Sequence, residues 1–261
     1  MKEQFIRTAM LLGESAVEKL NNSRVAVFGV GGVGGYVCEA LARSGVGKLD
    51  LIDMDTVSLS NINRQIIALK STVGRYKTEV MKERILDINP EAEINVHNCF
   101  YLPETKREFD FSEYDYVVDA VDTVTAKLSL VMECKEHDVP IISSMGAGNK
   151  LEPTGFMVAD IYDTSVCPLA KVMRKELKAR GVENLKVVYS KEKALTPVNY
   201  SDDGEKVREN CGDNHQEGNH DEGTGMEIGI KKRAVPGSIA FVPSVVGLII
   251  ASEVIKDLCR E

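Results

Sequence analysis

The chain has 261 residues, 43% of them hydrophobic and 28% charged, enough to bury a sizeable core as one large domain or two small ones. With 21 Gly, 8 Pro and 6 Cys it is neither collagen-like, nor low-complexity, nor a disulfide scaffold. The net charge of −8, from 32 basic against 40 acidic side chains, argues against a surface given over wholly to nucleic acid, since phosphate contacts need Lys and Arg.

Gly13 to Leu20 reads as a short amphipathic helix. Arg24 to Phe28 is a run of β-branched and apolar residues that predicts a buried strand. It empties into Gly29-Val30-Gly31-Gly32-Val33-Gly34, and a helical pattern follows to about Arg43. Lys48 to Asp53 is a second strand. A long amphipathic helix spans roughly Arg75 to Ile88 and is stopped by Asn89-Pro90. Ile94 to Cys99 and Asp115 to Val121 are further strands. A helix from about Thr125 to His137 leads to Pro140-Ile141-Ile142. This alternation is that of a doubly wound, mainly parallel, Rossmann-like α/β sheet.

The second half carries a strand at Gly155 to Ile161, a basic helix at Pro168 to Arg180 and a short strand at Lys186 to Ser190. Residues 201–230 hold almost no large apolar side chain and read as a long mobile loop. Nine acidic residues against two basic ones in that stretch account for seven of the eight net negative charges. The remainder is therefore nearly neutral, with room for basic patches. Pro243 to Leu258 closes the chain as a helix, with Pro243 suited to its first turn. The apolar run Ile239 to Ala251 is too short, and too broken by Pro243, Ser244 and Gly247, to span a bilayer; it predicts a core helix.

Gly29, Gly31 and Gly34 match G-x-G-x-x-G, and Asp53 lies 24 residues past the first glycine, at the end of the second strand. Such glycines let backbone approach a phosphate at a helix N-terminus, and the carboxylate is placed to read a ribose hydroxyl. The same spacing also suits a tight structural turn. Downstream come Asn61, Arg64, Gln65 and Lys77, more donors and positive charge than the pyrophosphate of a dinucleotide requires. A leaving pyrophosphate does require them, because its growing charge must be met by fixed cations. Taken singly, Arg64 or Lys77 reads as part of a solvated helix face. Asp122 follows a buried strand at the edge where ligands of open α/β sheets gather. It is placed to hold Mg²⁺ against a polyphosphate or to cap the next helix. Asp119 reads as a strand-end residue.

Together, D-x-D-x-V-x-x-S-N-x-x-R-Q from Asp53 to Gln65, followed by V-G-x-x-K to Lys77, resembles the ubiquitin-activating-like superfamily, the ThiF/MoeB/HesA enzymes that adenylate carboxylates. The resemblance runs from about Phe5 through Asp122 and resumes in the last helix. It implies one ATP-binding adenylating domain over residues 1–261, whose sheet is completed by C-terminal strands and a helix. By this resemblance Gly29, Gly31, Gly32 and Gly34 form the ATP loop, and Gly32 and Asp53 hold the adenosine. Asn61, Arg64, Gln65 and Lys77 then contact the triphosphate, and Asp122 holds Mg²⁺. It also implies a homodimer in which Arg7 reaches the partner's ATP site; read alone, Arg7 is an exposed terminal arginine. Arg7, Arg64, Lys77 and Asp122 are the expected catalytic residues.

Relatives acting on sulfur-carrier or ubiquitin-like proteins usually carry paired C-x-x-C motifs, and none is present in this sequence. The words T-x-x-L-L-G-E, L-I-D-M-D, N-R-Q-I-x-A-L and P-L-A-K-x-x-R-K-x-L look most like the tRNA threonylcarbamoyladenosine dehydratase family. That implies a tRNA substrate and, by analogy, sulfur-transfer partners. Adenylation of a sulfur-carrier protein, or a non-enzymatic nucleotide sensor, are the competing readings. Candidate tRNA contacts are Lys171, Arg174, Lys175 and Lys178 on the basic helix, with Lys231, Lys232 and Arg233. No activating neighbour is visible for Cys211, the thiol nearest the last elements, so the expected catalysis is non-covalent. Cys211, His215 and His220 lack a fourth ligand for a zinc clip. Reduced thiols and no signal peptide lead to an expected cytoplasmic location.

Overall fold

The computed structural model describes residues 2–198 and 236–260. Two short helices open the chain, α1 (Ile6–Leu12) and α2 (Glu14–Asn22). The sequence pattern predicted only the second of these, as Gly13 to Leu20; Gly13, at φ +88°, ends α1 and precedes α2. Then follow β1 (Arg24–Phe28), α3 (Gly34–Ser44), β2 (Lys48–Ile52), α4 (Lys77–Ile88), β3 (Glu93–His97), β4 (Tyr116–Asp119), α5 (Val124–Glu136) and β5 (Ile141–Ser144). After these come β6 (Phe156–Asp160), α6 (Pro168–Ala179), β7 (Lys186–Ser190) and α7 (Phe241–Cys259).

The seven strands form one sheet in the order β3-β2-β1-β4-β5-β7-β6, parallel throughout except for β6, which runs antiparallel to β7. This is the expected mainly parallel, doubly wound architecture. Helices cover both faces, so the central strands are apolar on both sides. Val25 and Val27 of β1 and Val117 and Val118 of β4 are wholly buried. On one face α3, α4 and α7 pack over Val25, Val27, Leu49 and Leu51. On the other, α5 and α6 share the cover with an aromatic cluster of Tyr101, Phe109, Phe111 and Tyr114 around Phe28.

The last helix is the core element its composition predicted. Val242, Val246, Ile250 and Val254 form a fully buried stripe at the four-residue spacing of one helix face. Gly247 lets α7 lie directly on α3: a Cβ there would stand 2.5 Å from the Val33 carbonyl oxygen. No helix among the described residues is long and apolar enough to cross a membrane.

Two boundaries differ from the sequence reading for a local reason. Helix α4 starts at Lys77 rather than Arg75 because residues 74–77 are held to the segment after β2, with Lys77 N donating to Asp55 O (3.0 Å) and Val57 N to Arg75 O (2.9 Å). Strand β4 stops at Asp119 because its own carboxylate accepts from Val121 N (3.2 Å) and bends the chain out of the sheet. From β1 the chain winds outward through β2 to β3, then returns to place β4 on the other side of β1. That reversal opens a crevice beyond the carboxyl ends of β1 and β4, where ligands of such sheets bind.

Candidate functional site

At this crevice β1 ends and the chain turns at Gly29, φ +92°. The turn is pressed so close to the chain leaving β4 that a Cβ on Gly29 would lie 2.6 Å from Ala120 O. Helix α3 begins five residues on, its first turn closed by Gly35 N donating to Gly31 O (3.0 Å) and Val37 N to Val33 O (3.1 Å), and brings the positive end of its dipole to this edge. Asp53, just past β2, braces this loop: Oδ2 accepts from Val30 N (2.8 Å) and Oδ1 from Asp55 N (2.8 Å). Gly31 faces open space, since a Cβ there would meet nothing nearer than Gln65 Nε2 at 3.8 Å. Gly32 lies under α7, with Pro243 Cβ 3.2 Å from where its own Cβ would be.

A tight turn at Leu59–Asn61, closed by a reciprocal Ser58–Asn61 capping box, aims the next residues inward. Asn61 O accepts from Arg64 N (3.1 Å) and Gln65 N (2.9 Å), so Asn61, Arg64 and Gln65 fall on one side. Arg64 is steadied by Ser60 O (2.8 Å) and Asn63 Oδ1 (3.0 Å). Gln65 is 6% exposed, and its Oε1 has no hydrogen-bond partner. Lys77, the first residue of α4 and 5% exposed, is ion-paired to Asp55 Oδ2 at 2.6 Å, with Asp53 Oδ1 at 3.8 Å. An ammonium at a helix N-terminus is disfavoured by the dipole; the two carboxylates offset that.

Gly29, Gly31, Gly32, Asp53, Asn61, Arg64, Gln65, Lys77 and Asp122 all line one cavity of about 460 Å³, within the size range of small-molecule sites. Gly34 does not. It sits at the start of α3, where a Cβ would come 1.8 Å from Gly29 O, so it serves close packing of helix on loop. Arg7 is exposed on α1 and lies outside this cavity. Asp122 is exposed and accepts from the Thr123 hydroxyl at 3.3 Å. Thr123, not Asp122, holds the N-cap position of α5. On α6, Lys171, Lys175 and Lys178 form one exposed face, whereas Arg174 turns aside to Thr164 O (2.8 Å). Lys231, Lys232, Arg233, Cys211, His215, His220 and the acidic stretch 201–230 lie outside the described residues.

Three contributors escaped the sequence reading. Asp55 pairs with Lys77, a role for which only the D-x-D spacing was a signal. Pro243 closes the cavity from α7. Asn149 holds Pro236–Ser238 at the rim: its N donates to Gly237 O (2.8 Å) and its Oδ1 accepts from Gly237 N (2.6 Å), while Asn63 Nδ2 donates to Ser238 O (2.9 Å). Cys99 also lines the rim. Burial, reinforced by Glu108, pushes its thiol up from the ordinary value, so it is protonated at neutral pH and a poor nucleophile.

A Rossmann-like sheet with a glycine loop, a strand-end carboxylate and clustered cationic donors at its switch point defines a nucleotide-binding α/β protein. The chain belongs to the ThiF family, whose model matches residues 5–261. It is 44% identical to a tRNA threonylcarbamoyladenosine dehydratase of Bacillus subtilis (strain 168) over 263 aligned positions, which cover 100% of this chain and 96% of the relative. It is 42% identical to the protein of the same name from Escherichia coli (strain K12), over 68% of this chain and 66% of the relative. Crystal structures of E. coli tRNA N6-threonylcarbamoyladenosine dehydratase, TcdA, superpose with a TM-score of 0.80. The complex with AMP is 31% identical and the complex with ATP 32%; both cover 98% of this chain, and 94% and 93% of those chains.

The open face at Gly31 and the steric stop at Gly34 separate binding from folding. Gly31→Ala is expected to keep wild-type stability in urea denaturation while weakening nucleoside triphosphate binding on the order of tenfold in calorimetry. Gly34→Ala is expected to lose about 3 kcal/mol of stability or fail to fold.

Proposed function

We propose that this chain is an ATP-dependent tRNA threonylcarbamoyladenosine dehydratase, a single adenylating domain that closes the side chain of the modified adenosine into a ring. The observation that carries the reading is the gathering of Arg64, Lys77, Asn61 and Gln65 opposite the glycine loop in one cavity. Similarity over the full chain supports the choice of substrate. The cavity fits a nucleoside triphosphate in that Gly31 leaves a cradle that a Cβ would fill, beside the Gln65 side-chain amide.

The threonine carboxylate of the substrate is an anion, and hydroxide is a poor leaving group. Its oxygen attacks the α-phosphorus of ATP, the bond to the β-phosphate breaks, and pyrophosphate leaves. The neighbouring carbamoyl group then attacks the activated carbonyl and AMP departs, an intramolecular step with a large effective molarity. In the first step the glycine loop at Gly31 and Gly32 and the positive end of the α3 dipole meet the phosphates. Arg64 and Lys77 meet the charge growing on pyrophosphate, for which Lys77 exchanges its bond to Asp55. Asp53 takes the ribose while still bracing Val30. Mg²⁺, when bound, screens the triphosphate, and Asp122 would hold it through an exposed carboxylate. Among the described residues no group of three or more His, Cys, Asp or Glu could hold a metal, so Asp122 would hold the ion together with the nucleotide's own oxygens rather than in an all-protein cage.

The chain acts as a cytoplasmic homodimer, with Arg7 of one subunit in the partner's site and Lys171, Lys175 and Lys178, with Lys231, Lys232 and Arg233, facing tRNA. Sulfur-transfer proteins are candidate partners by analogy. Catalysis uses no enzyme thiol.

Three tests follow from this reading. Mass spectrometry of nucleosides from tRNA treated with the chain and ATP is expected to show loss of one water. Lys77→Met should reduce the rate by at least about 10²-fold, and Cys211→Ser should keep it. Adenylation of a sulfur-carrier tail without need of tRNA would instead favour the competing substrate. Mixed Arg7→Ala and Lys77→Met subunits, each inactive alone, are expected to recover activity, since one of the two sites in the mixed dimer is intact. Reversal of Lys171 and Lys175 to Glu should weaken tRNA binding about tenfold and flatten its salt dependence, with ATP affinity unchanged.

A further inference from the structure

Lys127 lies in the first turn of α5 and is fully buried. Its Nζ donates to Asp119 Oδ1 (3.1 Å), Asp119 Oδ2 (3.0 Å) and Ser144 O (2.7 Å). Asp119, also fully buried, accepts from the Ser143 hydroxyl as well and from Val121 N (3.2 Å). As a stabilising device this is an odd choice. A cation in the first helical turn opposes the dipole, and desolvating an ion pair commonly costs as much as its attraction returns, so an apolar pair of equal volume would pack as well.

The pair governs position. Asp119 Oδ1 fixes Val121 N, Ala120 N donates to Phe28 O (2.8 Å), and Thr123 O accepts from Lys127 N (3.0 Å). The turn 120–123 is thereby held from below by Asp119, on one flank by the strand that enters the glycine loop, and on the other by α5. That turn presents Asp122 to the cavity. We propose that Lys127 is a positioning residue: paired with Asp119 beneath the site, it sets the 120–123 turn and so the placement of the Asp122 carboxylate toward a magnesium-bound triphosphate. This rests on the reading of Asp122 given above.

The test is calorimetric titration of ATP into the full chain with Mg²⁺ and with EDTA, the readout being the factor by which metal tightens binding. Lys127→Met leaves Asp119 buried without its counterion and is expected to destabilise the fold. The double variant Asp119→Asn/Lys127→Met leaves no unpaired charge; it is expected to bind metal-free ATP within about twofold of wild type. Its metal-dependent gain should fall on the order of tenfold, as when a group that orients a metal ligand is lost. Ser143→Ala, which keeps the ion pair, should lower the gain in the same direction by less. A wild-type gain in the folded double variant overturns the proposal; if that variant does not fold, a wild-type gain in Ser143→Ala does so. Absence of any metal gain in the wild-type chain, or a full gain in Asp122→Asn, would instead remove the reading of Asp122, and this proposal with it.

Discussion

The site hangs on one carboxylate. Asp53 stands just beyond β2 and bonds backbone on two sides, Val30 N in the glycine loop and Asp55 N in its own segment. The first bond ties the β1 turn to the end of β2. The second sets Asp55 where it can take the Lys77 ammonium. Without this brace the glycine loop would keep its steric freedom but lose its placement, and flexible backbone is a poor phosphate receptor because ordering it costs conformational entropy on binding.

Charge in the cavity is arranged as replaceable pairs. Lys77 is almost wholly buried, whereas the side chain of its partner Asp55 is 56% exposed. A phosphate arriving at Lys77 can displace a carboxylate that water is ready to receive. The pair beneath the turn is built the other way: with both Asp119 and Lys127 buried, neither can be exchanged. Mobile and fixed ion pairs thus divide the work between ligand capture and geometry. Arg64 stands between these cases, held through neutral oxygens of Ser60 and Asn63 and so retaining its full charge for an anion.

Much of this is legible in the sequence. The central strands are continuous apolar runs because both faces of the sheet are covered, and the glycine spacing with Asp53 marks the loop between them. The cluster from Asn61 to Lys77 could be read as one chemical unit because few other demands place those residue types so close together. What was hidden depends on distance in space. Gly34 fits the motif, yet its glycine is required by the Gly29 carbonyl, a contact that spacing cannot distinguish from phosphate approach. Asn149 meets Gly237 across 88 positions, and no local pattern encodes that pairing. Helix α1 has no counterpart in the sequence pattern, and Gly13, which that pattern puts at the start of the next helix, ends α1 through its positive φ.

On the dehydratase reading, the substrate brings its own nucleophile. Burial raises the thiols of Cys38, Cys99 and Cys134 above their ordinary value, so none of these three is poised to accept an acyl group. A carboxylate activated as a mixed anhydride with AMP, with an amide-like nitrogen of the same residue nearby, closes a ring faster than an external acceptor could compete. What such a reaction asks of its enzyme is triphosphate orientation and protection of the anhydride from water. The cavity supplies the first through fixed donors. For the second, Pro236–Ser238, held by Asn149 and Asn63, and Pro243 from α7 bring uncharged surface to the lining of the cavity. The same scaffold that adenylates other carboxylates in this family can therefore serve an intramolecular dehydration by presenting a substrate that carries its own nucleophile.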